Sequence, residues 1–122
     1  MKKNVLKEKS FDFALRIVKM YRYLQEEKKE YIMSKQLMRA GTSVGAMVRE
    51  AEFAESKSDF VHKMAIAQKE IGETLYWLEL LNASEYITIQ QFESINSDAV
   101  EIIKLITSTI KTAKTKIKTI NH

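Results

Sequence analysis

Cysteine and proline are absent from the 122 residues, and glycine occurs only three times. Without cysteine there is no disulfide, no thiolate nucleophile and no sulfur metal ligand, and a reducing compartment, the cytoplasm, is the expected location. The lack of proline and the scarcity of glycine argue against a strand-and-turn protein, which uses both at its turns. Histidine is confined to His62 and His122, too few for a histidine-rich metal centre. No stretch approaches the roughly 18 apolar residues of a membrane-spanning helix. Lys7, Glu8, Lys9, Asp12 and Arg16 interrupt any signal-peptide core, so no membrane partner is expected.

What the chain does contain is helical periodicity. From Arg39 to Leu81, two apolar series recur at gaps of three and four: Leu37, Ala40, Val44, Met47, Ala51 and Ala54, then Phe60, Met64, Ala67, Ile71, Leu75, Leu78 and Leu81. A short polar joint at residues 56–59 separates them, so the two helices must fold back on each other to bury their stripes. An earlier helix is expected over about 10–26, with Ser10 as its cap and Phe11, Leu15, Val18 and Tyr21 as its stripe. The second is expected over 34–56 with Ser34 as cap, the third over 58–81, and the last over 89–119. Thr88 to Gln91 reads as a capping box at the start of the last helix. Residues 1–9 read as a basic arm, and the Glu26–Glu30 charge cluster as a solvated linker. The fold class is all-α: one domain over 1–122, an antiparallel up-down-up-down four-helix bundle.

Charge is unevenly placed. Residues 1–9 carry net +3, residues 10–33 net +1, residues 34–100 net −4 and residues 101–122 net +4, giving +4 in all. In an up-down bundle both termini lie at one end, so the basic segments would add. Lys2, Lys3, Lys7, Lys104, Lys111, Lys114 and Lys118 are therefore candidate contacts to a nucleic-acid backbone.

Chemistry is otherwise sparse. Asp59 and His62 have the spacing of one half of a bundle di-metal motif but no mate. Glu50, Glu70 and Glu73 have no histidine or nucleophile beside them and read as interhelical or subunit ion pairs. Gly41 and Gly45 lie one helical turn apart without the lysine of a phosphate loop. A glycine inside a helix costs roughly 0.5–1 kcal/mol against alanine, so the pair implies close approach by another helix or a second subunit. Arg39, Gly41, Gly45, Glu50, Glu73 and Trp77 are the candidate subunit contacts. No catalytic residue, cofactor, metal or small-molecule substrate is expected.

The segments Gln36-Leu-x-Arg39-Ala40, Ser43-Val44 and Val48-x-Glu50-Ala51 form part of a longer pattern. It continues through Ala54-Glu55-Ser56-Lys57-x-Asp59-Phe60, His62-Lys63-x-x-Ile66-Ala67, Lys69-Glu70, Glu73-Thr74 and Tyr76-Trp77-Leu78. Over nearly its whole length the chain resembles the four-helix-bundle proteins first described as products of the intervening sequence in some bacterial 23S ribosomal RNA genes. The resemblance implies a small up-down bundle that forms rings, pentamers among them, with no cofactor and no catalysis. It implies an unsettled biochemical role, since the tie to ribosomal RNA genes is one of genomic location. A related bundle family supports retroelement reverse transcription by binding nucleic acid. The chain departs from the family pattern at Met47, where asparagine is usual, and at Ala51, where many members have glycine.

Overall fold

The computed structural model describes residues 4–120, with side chains through Ile117. Its regular structure is four helices: α1 (Val5–Glu26), α2 (Met33–Glu52), α3 (Lys57–Ala83) and α4 (Ile89–Ile120). Each packs on its neighbours in the chain and α4 returns against α1, while the diagonal pairs do not touch among the described residues. This is the up-down-up-down bundle that the periodicity predicts.

The helix ends show where local chemistry overrode the expected boundaries. α1 begins five residues before Ser10, because the Asn4 side chain accepts from the Lys7 N–H at 3.0 Å and caps the helix there. Most of the expected basic arm is thus helical, and Ser10 is a buried residue facing α2. Ser34 does not cap α2 either. The cap is Glu30, whose carboxylate accepts from the N–H groups of Ile32 and Met33, both at 2.9 Å, and of Ser34 at 2.7 Å. Glu30 is 6% exposed, so it is a buried structural anchor and not part of a solvated linker. α2 stops at Glu52, and Ser56 accepts from the Asp59 N–H at 3.0 Å to start α3. The Thr88–Gln91 capping box forms as its sequence signature indicates, with reciprocal bonds of 2.9 and 3.1 Å.

With glycine scarce, two other residues adopt the left-handed backbone at helix exits, Lys29 (φ 55°) and Glu85 (φ 67°). At Glu85 the Tyr86 N–H bonds the Leu81 carbonyl and the Glu85 N–H bonds the Asn82 carbonyl. That is the Schellman closure, built without its usual glycine.

The core is aliphatic, with Ile17, Leu37, Val44, Ile71, Leu78, Leu81 and Ile106 fully inaccessible. The stripes expected for α2 and α3 face it, with Met47, Phe60 and Leu75 at its margin, and α4 contributes Ile95, Ala99, Ile102 and Ile106. In α1 the expected stripe is corrected. Leu6, Phe13, Ile17 and Leu24 point inward, whereas Phe11 and Leu15 are each 49% exposed. Both series have helical spacing, and the bundle buries the one that meets the partner stripes of α2 and α4.

α4 has 32 residues against 22 in α1. At 1.5 Å per residue it runs about 15 Å longer, and its last turns pass the described start of α1 with α3 beside them. A cleft of about 380 Å³ lies there between Lys57 and Phe60 of α3 and Ser108, Thr109, Thr112, Ala113 and Lys116 of α4. No described helix is long and apolar enough to cross a membrane.

Candidate subunit and nucleic-acid interfaces

Four of the candidate contact residues lie along the outer α2–α3 seam, three of them in one network. Arg39 of α2 reaches across to α3, where its guanidinium pairs with Glu73 and, at 3.2 Å, with Glu70. The Trp77 indole N–H points at the same Glu73 carboxylate at 3.5 Å. The hydrogen bond from Arg39 holds the Glu73 carboxyl below its usual range, and Glu73 raises Arg39 in return. Both partners are partly exposed, 49% for Arg39 and 31% for Glu73, so solvent screens the pair and its role is to register α2 against α3. Two to three turns further along the seam, Lys63 meets the exposed Glu50 at 3.5 Å.

Gly41 and Gly45 serve a different seam. A Cβ at Gly41 would stand 2.7 Å from Cγ1 and 2.9 Å from Cγ2 of Ile17, and one at Gly45 would stand 3.3 Å from the Ser10 carbonyl oxygen. The close approach that these glycines permit is therefore made by α1 of the same chain. Beyond its own helical backbone and chain neighbours, no described atom lies within 4 Å of such a Cβ at Gly72, and no packing among the described residues accounts for this glycine.

The candidate nucleic-acid lysines divide into two groups. Lys7 is tied to Glu52 of α2 at 3.0 Å, and neighbouring Lys9 to Glu101 of α4 at 2.7 Å. Lys9 is shifted upward chiefly by its hydrogen bond to Glu101. Lys104, Lys111 and Lys114 are exposed and make no ion pair among the described residues. Their spacing of seven and three sets them on one outer face of α4. Lys2, Lys3 and the side chain of Lys118 lie outside the described residues.

The sequence-based reading missed the outward line of α1. Phe11 and Leu15, followed by the partly buried Val18, present an apolar strip to solvent, with the Arg49 guanidinium 5.3 Å from the Phe11 ring centroid. The signal was present in the sequence as a second apolar series on one helix. On α3, Tyr76 is 55% exposed and stacks edge-on against Trp77 with centroids 5.1 Å apart. His62 is exposed, and no cluster of three or more His, Asp or Glu side chains able to hold a metal occurs among the described residues.

Comparison with known proteins places these features in context. The family model described as 23S rRNA-intervening sequence protein matches residues 2–108. A crystal structure from Bacteroides thetaiotaomicron VPI-5482, of a protein with unknown function from the S23 ribosomal protein family, superposes with a TM-score of 0.88 at 58% identity. The match covers 91% of this chain and 99% of that one. No curated protein matches.

Proposed function

The chain belongs to the 23S rRNA-intervening sequence protein family, and from that premise we propose that it acts by binding and not by catalysis, as a cytoplasmic homo-oligomer. A ring of five is the expected assembly, as the family resemblance implies. The observation carrying this reading is the half-exposed Phe11–Leu15 strip on α1. Two large apolar side chains held on one line of a rigid helix form a contiguous patch of the kind that marks an interaction surface. The projecting end of α4, with Ile110, Ala113 and Ile117 only partly covered, adds a second apolar margin of the same kind. Arg39, Glu50, Glu73 and Trp77 would lie beside such a contact, stiffening the α2–α3 seam.

Size-exclusion chromatography with light scattering tests the proposal. A defined species of several 14.2 kDa chains, constant on dilution through the micromolar range, is the expected result; a monomer rejects it.

A second reading, nucleic-acid backbone binding, is favoured by Lys104, Lys111 and Lys114, three ammonium groups on one face of α4 that make no ion pair among the described residues. An oligomer would repeat that face around its axis and multiply the field. Adding a structured RNA to the same column run at low and at ~0.15 M salt separates the readings. A complex that survives the higher salt, and that the triple replacement of these lysines by alanine abolishes, supports nucleic acid. Unchanged elution of the oligomer leaves a scaffold or protein-binding module.

A further inference from the structure

We infer that the outward line of α1 docks on the outer face of α3 of a second copy, in parallel and at equal height. This rests on the self-association reading and specifies its contact. The two lines have the same spacing. Phe11, Leu15, Val18 and Arg22 recur at gaps of four, three and four, as do Ala65, Lys69, Gly72 and Tyr76, each 54 positions later. All eight lie on outer faces, six of them exposed and Val18 and Gly72 partly so.

The bundle itself fixes the relative height of the two lines. Ile17 packs at Gly41, and Arg39, two residues earlier in α2, bonds Glu70 and Glu73. Position 17 thus stands level with positions 68 to 71 of α3. At the other end Lys7 meets Glu52 and Lys63 meets Glu50, which sets position 7 level with about position 61. The offset is therefore 51 to 54 residues, the upper value equal to the spacing between the lines. α1 and α3 run in the same direction at opposite corners of the bundle. Copies related by rotation about an axis parallel to the helices have no axial displacement, so residues of equal height meet. Each copy offers both faces at once, as a heterologous ring contact needs.

The side chains are complementary in this register. Phe11 faces Ala65, and Val18 faces Gly72, so the bulky residues of one line meet the small residues of the other. Leu15 covers the aliphatic stem of Lys69, whose ammonium stays in water. Arg22 faces the Tyr76 ring, with Glu79 less than one turn beyond, where cation–π attraction and an ion pair combine. Arg22 and Glu79 are both exposed and neither makes an ion pair among the described residues. The contact also gives Gly72 the close neighbour that its own chain does not provide.

The absence of cysteine makes the test direct. Leu15→Cys and Lys69→Cys, both at exposed positions, are co-expressed and oxidised. A disulfide dimer containing one of each is expected, and neither variant alone should cross-link. Intrachain linkage is excluded because α1 and α3 do not touch. Cross-linking of Leu15→Cys with itself, or no mixed dimer from an oligomeric wild type, overturns the pairing. A monomeric wild type instead removes the self-association reading beneath it. Independently, Arg22→Glu should weaken assembly by about tenfold or more, as expected for like charges set face to face, and adding Glu79→Arg should restore it. A double variant as weak as the single one overturns the register.

Discussion

The two seams that α1 makes are built on different principles. Against α2 it lies backbone to backbone, with Ile17 filling the notch at Gly41 and the Ser10 carbonyl against Gly45, and a short turn anchored by the buried Glu30 joins the helices. Against α4 the contact is sparser and is held by long polar side chains. Arg16 bridges to Asp98 at 2.6 Å and to the Ser94 hydroxyl at 2.8 Å, and Lys9 reaches Glu101. Clefts of about 320 and 150 Å³ remain along that seam, lined by Arg16, Met20 and Ile95 and by Phe13, Asp98 and Ile102 among others. No connection joins α1 directly to α4, so no turn restrains this seam. Tight packing with turn restraint thus holds one side of the bundle, and screened polar bridges hold the other. The α1–α4 side is where the bundle should open first.

The contrast is broken most severely at Gly41. Gly41→Ala puts a methyl within 3.0 Å of three atoms of Ile17, a fully buried β-branched residue that cannot rotate clear. A loss near the upper end of the overpacking range, about 3 kcal/mol, is expected by urea denaturation. A loss below about 0.5 kcal/mol would mean that α1 can shift freely on α2, and the two seams would then not differ in kind.

Next comes Glu30. Glu30→Ala leaves the first N–H groups of α2 without their acceptor and should cost about 2 kcal/mol at neutral pH. Burial opposes the Glu30 charge, but the N–H groups of Met33, Ser34 and Ile32 together with the Ser34 hydroxyl outweigh it and hold the pKa below the ordinary 4.5. The stabilisation is therefore complete above that value and fades as pH falls through the lower folded-state pKa. Unfolding curves of wild type and variant should converge in acid. A gap independent of pH would assign the loss to packing instead.

These two positions also show how much the sequence discloses. The core stripes of α2 and α3 and the α4 capping box follow from period and residue type, because one series at gaps of three and four runs along each of those two helices. α1 has two, and only contact with α2 and α4 decides between them, so Phe11 and Leu15 read as core from sequence and face solvent in the fold. Glu30 was hidden by its company: inside Glu-Glu-Lys-Lys-Glu nothing local distinguishes the one carboxylate that turns back into the chain. Gly41 and Gly45 announced a close neighbour, but whether that neighbour was α1 or another subunit required the register. The lysines were visible as a run, while their sorting into paired Lys7 and Lys9 and unpaired Lys104, Lys111 and Lys114 depends on acids distant in sequence.

Gly72 sharpens the comparison from the opposite direction to Gly41. Gly72→Ala meets no other helix among the described residues and should stabilise the folded monomer by about 0.5–1 kcal/mol through helix propensity. If Val18 of a neighbour rests there, the same variant should weaken the oligomer. A gain in both would place the contact elsewhere.

The smallest effect is expected at the α1–α4 bridge. Arg16 and Asp98 are 39% and 45% exposed, so their short contact is largely screened and offset by the ordering of two side chains. A double-mutant cycle with Arg16→Ala and Asp98→Ala should give a coupling of about 0.2–1 kcal/mol at low ionic strength, falling towards zero in ~1 M salt. Hydrogen exchange should meanwhile show exposed-face amides of α1 opening more readily in the Arg16 variant, with the Gly41 side still protected. A coupling above about 2 kcal/mol that resists salt would show that the bridge is effectively desolvated. The α1–α4 seam would then be a second structural lock and could no longer be regarded as the place where the bundle opens.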